Sequence, residues 1–230
     1  QLTENLGADE QCRGFPLPGE NKMSHVYRWH PRLTAGIDGP MVGKSPLHLQ
    51  QSDLDGACGQ HSALMALMLF GEVTRDDLEG HPKKALSAFW KSARPHYFAG
   101  TKPNKLASFF KPYRHAVSSR VVLKDLSDEI RRTLHADGLA IVGVQNDSFD
   151  HWSLAVGIGG QEGIPGDEKL LLLDPNFPPF SMMPWNATLS LNPSRRGWHN
   201  YDTPAGRAKV HLSDAVCLLP SIEEMDLDID

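Results

Sequence analysis

Cys58-Gly59-Gln60-His61-Ser62-Ala63-Leu64-Met65-Ala66-Leu67-Met68-Leu69-Phe70 reads as one helix, and its surroundings decide the fold. Ala63, Leu64, Ala66, Leu67, Leu69 and Phe70 are too continuous for a surface helix with one apolar stripe, so the composition predicts a central helix. Gly71 supplies its stop. The approach, Gln50-Gln51-Ser52-Asp53-Leu54-Asp55-Gly56, is polar. Shorter helices are predicted at about 83–92, 105–110 and 125–136, the last capped by Asp125 or Ser127 and ended by Gly138. Short runs rich in Val, Ile and Leu follow at 139–144, 151–158, 169–173 and 215–219, with turn residues between them. Helices first and strands second imply an α+β fold, with an antiparallel sheet packed on the Cys58 helix. Residues 1–48, rich in Pro, Gly and polar groups, read as an irregular arm; 49–222 form the domain, and 223–230 an acidic, frayed tail.

The chain has 230 residues, 40% of them hydrophobic and 22% charged, which is enough apolar material for a core. A net charge of -5 with scattered basic residues argues against a nucleic-acid partner. No apolar run reaches membrane-spanning length, so no membrane insertion is expected and the chain reads as soluble. It begins at Gln1 with no signal-like segment, and is therefore expected to be processed or excised from something longer, with localisation left open. Oligomeric state is also left open. Three cysteines, Cys12, Cys58 and Cys217, are too few for a disulfide scaffold. The histidines show no paired spacing for zinc, and Gly157-Ile158-Gly159-Gly160 leads into a turn and strand, not a helix. Neither a metal nor a cofactor is expected.

Cys58 sits in Gly56-Ala57-Cys58-Gly59-Gln60-His61, at the first turn of the predicted helix. Unpaired N–H groups and the positive end of the dipole favour a thiolate at such a position. Those N–H groups also suit an oxyanion, and the flanking glycines admit a substrate backbone. The competing reading is a small buried helix residue. A nucleophile needs a base nearby in space. His151 opens one strand, and Asp174 closes another, where Pro175 prevents continuation. If the two strands run antiparallel, the imidazole and the carboxylate meet. That coincidence favours a catalytic role over an exposed strand-end histidine.

Gln51, Asp55-Gly56-Ala57-Cys58-Gly59, His151-Trp152-Ser153-Leu154-Ala155-Val156 and Leu173-Asp174-Pro175 together resemble the C39-like branch of the papain-like cysteine peptidases, over roughly 49–175. The resemblance implies a papain-like fold with Cys58 as nucleophile, His151 as base and Asp174 as orienter. It also implies a glutamine donor to the oxyanion, a role that falls on Gln51 with Gln50 as fallback, because an extra residue precedes the cysteine. Ala57 stands where the family usually has Asp. The activity implied is amide hydrolysis of a protein or peptide substrate through a thioester. Protein glutamine deamidation or a transglutaminase-like acyl transfer uses the same triad, although the 93-position separation of Cys58 and His151 exceeds the usual transglutaminase spacing. A non-catalytic binding module is disfavoured by retention of all three residue types. His61, three residues after Cys58, reads as a polar cleft residue more than a tuner of the thiolate. Trp152 reads equally as a shield for the His–Asp pair or as core. The segment with Pro178-Pro179, Trp185, Arg195-Arg196, Trp198 and Tyr201 reads as a packed excursion, with a substrate-contacting loop as the alternative.

Overall fold

Strands dominate the regular structure of the computed structural model, which describes residues 24–53, 55–80, 82–162, 164 and 166–221. Cys12 and the 223–230 tail lie outside the described residues. The elements run β1 (His25–Trp29), β2 (Leu33–Gly36), β3 (Gly39–Val42), β4 (Ser45–Pro46), α1 (Cys58–Phe70), α2 (Arg75–Glu79), α3 (Lys84–Ala93), α4 (Pro103–Ser108), β5 (Val117–Val122), α5 (Leu126–His135), β6 (Leu139–Gln145), β7 (Asp150–Gln161), β8 (Lys169–Leu173), β9 (Ala187–Ser190), β10 (His199–Thr203) and β11 (Gly206–Pro220).

The expected papain-like α+β arrangement, a helix on an open antiparallel sheet, is not the fold. Six antiparallel strands run in the order β7-β6-β11-β10-β9-β8, and pairing of β8 with β7 closes them into a barrel. Two further strands, β1 on β7 and β5 on β11, lie outside the closed ring. Two long strands make the closure possible. β11 pairs β10 through 206–210 and β6 through 211–218, with a bulge between Leu212 and Asp214. β7 pairs β6 through 150–155 and β8 through 154–159, with an irregularity between Ala155 and Gly157. Bulges bend a strand and increase its twist, as a closed sheet requires. Sequence reading misses the closure because β9 (ATLS) and β10 (HNYDT) lack an apolar run. The arm is also more regular than expected: β2, β3 and β4 form a small meander, and β1 pairs β7.

Alternation sorts the barrel residues into two clusters. Val142, Ala155, Leu170, Leu172, Leu189, Tyr201 and Val210 come from all six barrel strands yet share one buried cluster, which therefore fills the interior; Ile130 and Leu134 of α5 join it. Ile141, Trp152, Leu154, Leu171, Leu173 and Val216 face outward and pack with α1. The predicted central helix forms with the predicted limits, and Gly71 takes the left-handed conformation, φ 87°, at its C-cap. Eleven of its residues are buried, leaving His61 and Phe70 partly accessible. α1 thus lies along the outer wall of the barrel and is covered on its other side by α3, α4 and the arm through Phe89, Leu106, Leu33 and Leu47.

Candidate active site

Asp55 organises the approach to α1. Its Oδ2 accepts from the Ser52 backbone N–H at 2.9 Å and from the Ser52 hydroxyl at 2.8 Å, and its Oδ1 accepts from the Ala57 N–H at 3.0 Å. Burial works against the Asp55 charge, but these bonds outweigh it and hold the carboxyl below its usual range. Gly56 N–H donates to the Tyr97 carbonyl at 2.9 Å, and a Cβ at Gly56 would stand 2.9 Å from the Phe98 carbonyl oxygen. The glycine is therefore required by the close approach of another backbone. The first helical bond runs from the His61 N–H to the Ala57 carbonyl. Among the described residues, no backbone carbonyl outside the helix accepts from the N–H groups of Cys58, Gly59 and Gln60.

Cys58 is a free, buried cysteine at this helix start. Opposite it, His151 is 4% exposed at the start of β7, and Asp174, just past the end of β8, is 0% exposed. The antiparallel pairing of β7 with β8 sets Leu154 beside Leu173, which brings the two side chains onto one rim of the barrel. His151 Nε2 donates to Asp174 Oδ1 at 2.7 Å. Nδ1 is left for the other side, where the Cys58 thiol interacts with the ring and the Asn176 amide nitrogen lies at 3.4 Å. Burial opposes a charge on His151, but hydrogen bonding and charge from Asp174 and Cys58 prevail and raise the imidazole to about 10.

Asp174 is satisfied on every side. Oδ1 also accepts from the Asn176 N–H at 2.8 Å, and Oδ2 accepts from the Tyr201 hydroxyl. Asn186, 1% exposed, clasps the turn that follows: its Oδ1 accepts from the Asp174 N–H at 2.7 Å and its Nδ2 donates to the Asp174, Phe177 and Pro178 carbonyls. A buried amide using both ends on backbone fixes that backbone. Trp152 Nε1–H donates to the Thr101 carbonyl at 2.8 Å, so its indole ties β7 to the loop that flanks Gly56.

A cleft of about 830 Å³ opens over Cys58 and His151 and is bordered by Gln51, Phe98, Trp152 and Asn176. The residues singled out in the sequence therefore gather at one place: Cys58, His151 and Gln51 at the cleft, with Asp174 behind the histidine. Gln51 N–H donates to the Pro175 carbonyl at 2.8 Å, and its side-chain Oε1 is buried without a partner among the described residues. Gln50 is exposed and does not border the cleft. His61 does not reach it either, since its Nδ1 faces the Ala57 carbonyl at 2.8 Å. The roles of Tyr201, Asn176 and Asn186 were not legible in the sequence. Asn176, two residues after Asp174, is the one a local signal could have found. Among the described residues no three His, Cys, Asp or Glu side chains group to hold a metal ion, and no helix is long and apolar enough to cross a membrane. No protein-family model matches the chain, and no curated protein matches it.

Proposed function

We propose that the protein is a cysteine-nucleophile hydrolase that cleaves an amide bond in a protein or peptide through a thioester. One observation carries the reading: a buried His151–Asp174 hydrogen bond lies on the same cleft as Cys58, the first residue of a helix. The motif resemblance around Cys58, His151 and Asp174 supports the same chemistry, independently of the fold. His151 Nδ1 takes the Cys58 proton, and the thiolate attacks the substrate carbonyl. The oxyanion is met by the Cys58 N–H and the Gln51 amide. The imidazolium then protonates the leaving amine, and water, deprotonated by the same histidine, hydrolyses the thioester. Asp174 holds the ring through Nε2 without taking the proton. The cleft walls favour a polar chain as substrate: Asp150 and Asp214 stand on the barrel side, Lys102 and Lys105 on the α4 side.

The test is labelling with an alkyne-tagged chloroacetamide at pH 6, with mass-spectrometric location of the adduct. Cys58 is expected to react at least tenfold faster than Cys217. Burial pushes the Cys217 thiol up, against weaker opposing help from Thr133 and Arg120. His151→Ala is expected to remove the difference. Equal labelling of Cys58 and Cys217 in the unmodified protein would overturn the nucleophile assignment. In a peptide-library digest, ammonia release without chain cleavage would redirect the reading to glutamine deamidation.

A further inference from the structure

We propose that Tyr201 is a positioning residue of this site, holding Asp174 so that its carboxylate stays turned toward His151. The inference rests on the triad reading above and deepens it. Tyr201 stands on β10, on the far side of the ring from α1, and reaches Asp174 only because the barrel closes. It is 3% exposed, and its hydroxyl meets Asp174 Oδ2 and, at 3.1 Å, Ser153 Oγ. A phenol has one proton and a carboxylate has none, so Tyr201 donates to Asp174 and accepts from Ser153. The result is a directed series, Ser153 to Tyr201 to Asp174 to His151, ending at Cys58. No other side chain among the described residues donates to Asp174 Oδ2, whereas Oδ1 is shared by His151 and Asn176.

Tyr201 does not border the Cys58 cleft. It borders an adjoining cavity of about 330 Å³ that shares Phe149, His151 and Asn176 with the cleft. Its hydroxyl is engaged by Asp174 and Ser153, so it is placed to act through Asp174. Burial, then the Asp174 charge, raise its phenol well above the usual value, so it stays a donor throughout the working pH range. The titratable groups facing the His151–Asp174 pair are Cys58 from α1, Tyr201 from β10, His48 from the arm, and Asp214 and Arg207 from β11. Of these, Tyr201 hydrogen-bonds to the pair, and Cys58 acts on the His151 ring from across the cleft. Without the phenol, a wholly buried carboxylate oxygen loses the donor that fixes its direction, and the carboxylate can turn away from His151 and leave the imidazolium without its partner.

The experiment follows the His151 ring nitrogens by NMR through a pH titration of the whole protein, with and without Tyr201→Phe, which keeps the aromatic ring in the interior cluster. The His151 midpoint is expected to fall by at least one pH unit in the variant, a tenfold loss of proton affinity. Ser153→Ala, which removes only the donor to Tyr201, is expected to move it the same way by less, and it decides the matter if Tyr201→Phe does not fold. An unchanged or raised midpoint in a folded Tyr201→Phe protein, or in Ser153→Ala where that variant decides, would overturn the inference. This readout needs no substrate and no acylation. A failure of Cys58 labelling with an intact Tyr201 response would therefore sink the hydrolase reading alone.

Discussion

Gln51 borders the cleft with its Oε1 buried and unpaired among the described residues, while Gln50 next to it is exposed. Buried polar atoms nearly always find a partner, so an unpaired amide beside a reactive group points to a partner that arrives with substrate. The amide nitrogen makes no hydrogen bond among the described residues, which leaves a donor for an oxyanion. Gln51→Ala is accordingly expected to lower kcat by roughly 10²–10³ with KM little changed. Gln50→Ala is expected to leave both constants within about twofold. Steady-state kinetics on a peptide found to be cleaved by the unmodified protein would check this. A silent Gln51→Ala would show that the helix-start N–H groups hold the oxyanion alone. Much of this residue-scale detail was legible in the sequence, because a helix-start cysteine, a strand-opening histidine and a strand-ending Asp-Pro each carry local signals. Tyr201 carried none: its role comes from which strand lies opposite it, and nothing in its neighbours records that.

At the scale of elements, the start of α1 is held by contacts that its own sequence does not explain. Gly56 passes so close to the 97–100 backbone that a side chain has no room, and that loop also receives the Trp152 indole through Thr101. Gly56→Ala is expected to push the helix start and the loop apart, because the three nearest atoms all belong to backbone and cannot rotate away. Overpacking of this kind costs about 1–3 kcal/mol, or a fall in Tm of roughly 2–12 °C for a chain this size. The rate of Cys58 labelling should fall tenfold or more, because a 1 Å misplacement of a nucleophile is costly. A variant with unchanged labelling and unchanged Tm would show that the contact is slack. The same scale explains the missed fold. α1, β6 and β8 announce themselves as apolar runs, but the buried positions of β9 and β10 are Ala187, Leu189, His199 and Tyr201, in alternation with polar residues. Four legible strands look like an open sheet, and two illegible ones close it.

For the molecule as a whole, closure of the barrel fixes one end of α1 against the site, and the arm latches the other. His30, just after β1, is 7% exposed, and its backbone N–H donates to the Val156 carbonyl on β7 at 2.8 Å. Its ring stands edge-on to Phe70, the last residue of α1. Nδ1 accepts the Arg32 backbone N–H at 3.3 Å, a role open only to neutral imidazole. Burial, then the Arg32 charge, lower His30 to about 4, against a weaker upward pull from Asp137. His48 and His199 are lowered as well, chiefly by burial, each against a backbone hydrogen bond that favours its charged form. The sign follows from proton counting. Between pH 6.5, where the unfolded imidazole titrates, and about 4, the unfolded chain binds a proton at His30 that the folded chain refuses. Stability is therefore complete above about 6.5 and drains away as the pH falls toward 4. After allowance for solvent screening, His30 accounts for about 1–2 kcal/mol of that loss, or roughly 2–8 °C in Tm. His30→Gln keeps a polar group in place and cannot titrate, so the variant should start less stable at pH 7.5 but lose less Tm on acidification to pH 4.5. Calorimetric melts of both proteins across that range supply the comparison. Parallel Tm curves would mean that His30 takes up its proton in the folded protein without cost, and that the latch between the arm and α1 does not depend on a neutral ring.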